Sequence, residues 1–505
     1  MSTILLEALR RDAQAFMEEI SRETYLAHSG HKATAELQPI YDRHAGAMDR
    51  NAFDYALDAF KSATPPSIEH RAARTLLEWE LEAQASRALA PLDEREIAWE
   101  SSAVIRLPDG REIQYQAAPI EIGNAKDRAQ RLAIDDARAA LVRDDHSPLR
   151  LEILQREKET IESMNVAASY NESFEAVTGI SLNGLASQCE QFLRDTQAMW
   201  DETLRGYLRS VLGITPKEAR RADALALFRA SEFDDAFPAR EMESAVRRQV
   251  TELGIDPGAG ERIRYDIGER EGKSARAFCA PVRVPDEVYL VLRPHGGQND
   301  YNALLHELGH ALHFAYASPD LPFEFRWLGD NSVTESYAML FDHRMQDAGW
   351  LARYTQLGKN RVGEFLRRAG FEELHFLRRY CAKLIYEIAL YGGDVPWSSL
   401  PDLYVSKLSE ATGFEYRPVD AFIDIDPRFY SARYLRAWQL QSGLNEYLTG
   451  RFDFDWHRNP AAGPWIVGDL FAAGQRDTAD EIADRIGTKL SFAALVRKIE
   501  ALLES

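Results

Sequence analysis

Apolar residues recur at three- and four-residue steps along most of the chain, the spacing that lines one face of an α-helix. The pattern runs from Glu7 to Arg87, where Pro65-Pro66 is the only close pair of prolines. Between Ala103 and Tyr115 the period falls to two, and Pro108-Asp109-Gly110 supplies a turn, so a β-hairpin is predicted over residues 103–116. Helical spacing resumes near Asp127 and reaches about Gly254, with breaks near Gly179 and Pro216. Ile255-Asp256-Pro257-Gly258-Ala259-Gly260 is turn-rich, and Arg262–Ile267 and Glu287–Leu292 alternate or run apolar like short strands. Long helices return from Asn299. The pattern predicts a mainly α protein with one small sheet just ahead of the helix beginning near Asn299. It also predicts an N-terminal helical lobe over residues 1–250 and a second lobe over 251–505, divided near residues 240–260. No internal repeat or low-complexity tract interrupts it.

Composition narrows the classes of function. A chain of 505 residues exceeds one ordinary core, which agrees with two lobes. Sixty basic residues against eighty acidic ones leave a formal charge of −20, which argues against nucleic acid or an anionic membrane as partner. The cysteines, Cys189, Cys279 and Cys381, are scattered and odd in number, so neither a disulfide framework nor a thiolate zinc knuckle is expected. The apolar patch Ile4-Leu5-Leu6 is short and followed at once by Glu7, unlike a signal peptide, and no apolar run of about 18 residues could span a bilayer. A cytoplasmic protein is expected.

His306-Glu307-Leu308-Gly309-His310 is an HExxH motif. On a helix, residues four apart share a face, so both imidazoles can reach one metal ion. Glu307 lies about 100° round from His306, beside the metal, where it can take a proton from metal-bound water. Chance supplies roughly 0.02 such motifs in a chain of this composition. Zinc in a hydrolase calls for a third protein ligand and an open position for water. The metzincin pattern fails, because His313 and Tyr316 stand where Gly and His are required. His313 would approach from the same side as the other two and is read as an outer-layer or core residue. Glu324, Asp330 and Glu335 are the candidates for third ligand. Pattern favours Glu335, on the first turn of a helix over Val333–Met345, with Asp330 as the alternative and as N-cap. Asp342, seven residues on, could orient a ligand histidine from behind.

Three blocks then follow in order: Gly272-Lys273-Ser274-Ala275-Arg276-Ala277-Phe278-Cys279, the strand Val288–Leu292, and Asn302 to His313 around the motif. Their order resembles the thimet oligopeptidase and oligoendopeptidase F family of gluzincin metallopeptidases, densely from about Tyr265 to Asp347. The resemblance places the third ligand 25 residues after the second histidine, at Glu335. It implies a prolate, two-lobed helical molecule with a deep channel, zinc on its floor and the small sheet beside the zinc helix. The strand Val288–Leu292 would be an edge for an extended peptide. It also implies a tyrosine loop that stabilises the oxyanion. The loop's recurring form is Tyr-Asp-Ala-x-Tyr; this chain has Tyr430-Ser431-Ala432-Arg433-Tyr434, and on that register Tyr430 falls at the catalytic tyrosine. The chain departs from the family at Ile425, where a histidine is common, and at Ala437, where a second tyrosine falls unless Tyr434 takes its place. Arg433 and Arg436 could hold a peptide carboxylate or form ion pairs.

Together these readings give the expectation of a zinc metallopeptidase, with one Zn2+, acting on short unstructured peptides as a monomer or weak homodimer. His306, His310 and Glu335 would hold zinc, Glu307 would be the general base, and Tyr430 or Tyr434 would bind the oxyanion. The alternatives are a carboxypeptidase or dipeptidyl carboxypeptidase on the same fold, and a zinc-holding peptide-binding protein without turnover.

Overall fold

Helices dominate the computed structural model, which describes residues 3–505. Met1, Ser2 and the side chains of residues 3–5 lie outside the described residues, and with them most of the patch Ile4-Leu5-Leu6. Six helices matter here: α1 (Thr3–His28), α2 (Ile68–Ser102), α3 (Gln298–Tyr316), α4 (Asn331–Asp342), α5 (Lys359–Gly392) and α6 (Tyr430–Phe452). The predicted hairpin is present as β1 (Val104–Arg106) and β2 (Glu112–Gln114), with Ile105 opposite Ile113. No helix among the described residues is long and apolar enough to cross a membrane.

The chain forms two compact units, but they are not the sequential halves that the pattern predicted. One comprises Met1–Glu80, Ser231–Arg367 and Arg433–Ser505, and the other Leu81–Ala230 and Arg368–Ala432. Three of the changes from unit to unit fall inside α2, α5 and α6. Hydrophobic periodicity reports which face of a helix is buried, not which distant segment buries it, so helices that change unit are invisible to it.

In the first unit, β3 (Ile263–Ile267), β4 (Phe278–Arg283) and β5 (Glu287–Leu292) form a sheet in the order β3-β5-β4. β3 runs parallel to β5 and β4 antiparallel to it. β5 is therefore central, and the edge expected at Val288–Leu292 lies at β3 and β4 instead. Its nearly unbroken apolar run is what a strand covered on both faces requires. α1 packs on the sheet through Tyr25, which stacks on Tyr289 and joins Ala280, Val282 and Val291 in one apolar cluster. Arg22 of α1 grips Glu287 with two hydrogen bonds of 2.9 and 2.7 Å. Between β3 and β4, Lys273 Nζ donates to the Asp266 carboxylate (3.0 Å) and to two backbone carbonyls, and Arg270 donates twice to the same carboxylate. These two residues hold the β3–β4 connection in place.

In the second unit, a buried polar network supports the segment leading into α6. Asp424 accepts from Tyr404 (2.7 Å) and Arg379, Lys383 pairs with Asp426 (2.9 Å), and Glu387 accepts from the Asp426 N–H (2.8 Å) and the Ser431 hydroxyl. Ile425 and Ala437, standing where the resembled family has a histidine and a tyrosine, are both buried apolar residues.

Glu80 of α2 is fully buried, and neither carboxylate oxygen has a hydrogen-bond partner among the described residues. Burial, helped by the charge of Asp49, pushes its pKa up to about 8. An acid raised on folding binds its proton more tightly in the native state, so stability falls as pH rises from the ordinary carboxylate range through about 8. Glu80→Gln removes that dependence. Urea unfolding should show the variant more stable than the parent by roughly 4 kcal/mol at pH 9 and no more stable at pH 4. A variant less stable at pH 9 would mean that Glu80 is ionised and paired.

Candidate metal centre

The site is built where α3 and α4 touch backbone to backbone. A Cβ on Gly309 would lie 2.5 Å from Ala338 Cα and 2.8 Å from the Tyr337 carbonyl oxygen, closer than any side chain tolerates. The glycine inside the motif thus lets the two helices meet, and every residue of α4 from Ser332 to Asp342 is buried by that packing. The face of α4 carrying Glu335 is thereby brought against the histidine face of α3.

His306 and His310 come from successive turns of α3, their ring centres 4.9 Å apart. Glu335 Oε2 lies 3.4 Å from His306 Nε2 and 3.7 Å from His310 Nε2. One ligand atom from each of the three residues lies within 4.8 Å of the other two. Each Nδ1 is engaged behind the ring: that of His306 is 2.8 Å from Asp342 Oδ2, and that of His310 is 2.9 Å from Thr334 Oγ1. His343 Nδ1 bonds the second oxygen of Asp342. Two imidazoles held through Nδ1 and a carboxylate between their Nε2 atoms make a His2Glu donor set, a combination of ligand types that suits zinc. The residues present therefore fit a zinc ion.

Glu307 is next to the cluster, and its Oε2 accepts a 2.8 Å hydrogen bond from the Cys279 N–H of β4. Burial pushes Glu307 up to about 7, against the pull of His306 and the Cys279 N–H. Burial lowers His310 to about 4, so its imidazole is neutral. Burial also opposes charge on His306, but hydrogen bonds to Asp342 and Glu335 outweigh it and raise its pKa. Asp342 is held well below the usual carboxylate range despite its burial, through the charge and hydrogen bonds of His343 and His306. The carboxylates behind and beside the histidines supply the negative field a divalent cation needs.

The remaining candidates are placed as follows. Glu324 is buried and paired with Arg10, whose Nε lies 3.0 Å from both carboxylate oxygens. Asp330 caps α4, accepting from Ser332 N–H (2.9 Å) and Ala479 N–H (3.2 Å). Of the three candidates for third ligand, Glu335 is the one that meets the histidines. His313 is a core residue rather than an outer-layer one. Its Nε2 bonds the Gly474 carbonyl (3.1 Å), it packs on Tyr337 and Phe471, and burial lowers it to about 4. Arg433 and Arg436 are buried and engaged by acids, Arg433 by Glu78 and Arg436 by Asp480 (2.6 Å), so the ion-pair reading accounts for both. Tyr430 begins α6 within the second unit, while Tyr434 lies in the first and meets Trp438 at a ring separation of 6.4 Å. Three groups at the centre escaped the sequence reading: Thr334, His343 and the Cys279 N–H. A backbone donor leaves no mark in a sequence, whereas Thr334, adjacent to Glu335, could have been found by asking what stands behind His310.

No family model matches the chain, and no curated protein matches it. Among solved structures it is similar to one described as "a putative oligoendopeptidase F from Bacillus anthracis str. Ames", with a TM-score of 0.70 over 98% of this chain and 90% of that chain. The fold is oligoendopeptidase-like. Sequence identity over that match is 15%, so the likeness is one of architecture.

Gly309→Ala tests the helix contact on which the cluster depends. The added methyl meets backbone atoms that cannot rotate away, and overpacking of this kind costs about 1–3 kcal/mol. Thermal unfolding should report that loss, and a variant melting with the parent would show that the helices separate freely.

Proposed function

We propose that the protein is a zinc-dependent peptidase that cleaves short, unstructured peptides. The observation that carries this is the convergence of His306, His310 and Glu335, with Glu307 fixed beside them by the Cys279 N–H. The oligoendopeptidase-like fold supports peptide as the substrate class.

In this reading His306 and His310 present Nε2 and Glu335 presents a carboxylate oxygen to one zinc ion. Zinc supplies Lewis acidity, polarising the scissile carbonyl and lowering the pKa of bound water. Glu307 is the general base. The Cys279 N–H holds its Oε2, which orients the carboxylate and leaves Oε1 to accept a proton from water and deliver it to the departing amine. Asp342 accepts from His306 Nδ1–H and keeps that ring's orientation, itself steadied by His343. For the oxyanion the reading retains Tyr430 and Tyr434, on their register with the Tyr-Asp-Ala-x-Tyr form, with Ser431 in place of its Asp.

Metal analysis combined with mass spectrometry of a mixed peptide digest tests the proposal. The parent should carry one zinc per chain and cleave, and a chelator should abolish cleavage. Glu307→Gln should keep its zinc while turnover falls by about 10²–10⁴-fold. A Glu307→Gln variant that cleaves at the parental rate would sink the mechanism.

A further inference from the structure

The two imidazoles of the proposed centre are held from behind by chemically different groups, a carboxylate for His306 and a hydroxyl for His310. We infer that Thr334 is the positioning residue for His310, its hydroxyl accepting from Nδ1–H and so turning the Nε2 lone pair toward the metal. This rests on the zinc reading above and adds a residue to it.

A cation at Nε2 decides where the ring's proton goes. A neutral imidazole carries one N–H and one lone pair. At Nε2 the facing oxygen of Glu335 is 3.7 Å away, beyond hydrogen-bonding distance, whereas at Nδ1 the Thr334 oxygen stands at 2.9 Å. A cation needs the Nε2 lone pair, which leaves the proton at Nδ1 and makes the Thr334 oxygen its acceptor. Thr334 is buried on the first turn of α4, and a β-branched side chain there has few rotamers, so its oxygen is held in place. Successive residues on a helix point about 100° apart. Thr334 and Glu335 therefore reach His310 from two directions, one behind the ring and one in front of its Nε2.

The choice of a hydroxyl has an electrostatic reason. Glu307, Glu335 and Asp342 already place three carboxylates around the two histidines. A fourth would repel them and oppose charge on each. A hydroxyl orients the ring without adding charge.

Thr334→Val keeps the shape and deletes the acceptor, while Thr334→Ser keeps the acceptor and deletes a methyl. Zinc affinity is read by competition with a chromogenic chelator, ring geometry by the visible spectrum of the cobalt-loaded protein, and fold by the melting of the apoprotein. Thr334→Val should bind zinc about 10–100-fold more weakly and alter the cobalt spectrum, with apoprotein melting close to the parent. Thr334→Ser should bind zinc within about threefold of the parent. If the parent binds zinc and Thr334→Val binds it equally well, or if Thr334→Ser binds as weakly as Thr334→Val, this inference is overturned and the zinc reading stands. A parent that takes up no metal overturns both.

Discussion

A single backbone contact between two helices carries the candidate centre. The HExxH helix alone offers two imidazoles and a glutamate on neighbouring faces, which is half a site. The rest comes from α4: Glu335 toward the metal position, Thr334 behind one ring and Asp342 behind the other. These three can act together only if α4 lies against α3 closely enough for a carboxylate to fall between two Nε2 atoms. Gly309 over Ala338 provides that approach. The complete burial of α4 from Ser332 to Asp342 then leaves the helix no freedom to slide or turn.

What the sequence disclosed, and what it did not, follows from the range of the forces involved. The HExxH spacing, the hairpin turn at Pro108-Asp109-Gly110 and the strand character of Glu287–Leu292 are local, and the backbone repeats of 3.6 and 2 residues expose them. The place of β5 in its sheet was misread as an edge, although an apolar run without alternation belongs to a covered, central strand. The division of the chain was not legible. Long helices that begin in one unit and finish in the other have the same periodicity as helices that stay in one. At the site, the three acids after the motif were distinguishable in part. Asp330 reads as a cap, but nothing in the residues around Glu324 announces that Arg10, more than three hundred positions away, pairs with it. Thr334 was missed because a threonine beside a ligand carries no motif.

The first turns of α6 illustrate how one helix can carry both packing and candidate chemistry. Arg433 and Arg436 look like substrate contacts in the sequence, yet each is buried against an acid. The half-exposed residues of the same stretch, from 430 to 440, are aromatic: Tyr430, Tyr434 and Trp438, at four-residue steps. In the second unit, Asp424, Asp426 and Glu387 fix the chain just before α6 begins. A buried ionic network is a costly way to hold a segment and a specific one, because each charge tolerates few arrangements of its partners.

Strand β4 has a consequence for how the protein behaves in a crowded solution. It is an edge strand, and an exposed edge invites another copy of the same strand to pair with it. On the side of β4 away from β5, the Cys279 N–H is already bound by Glu307, and two residues on, Pro281 has no N–H to give. Over that stretch the edge displays carbonyl groups alone. A second copy arriving edge to edge would meet acceptors where a ladder needs donors, so the strand beside the candidate centre is a poor template for self-association.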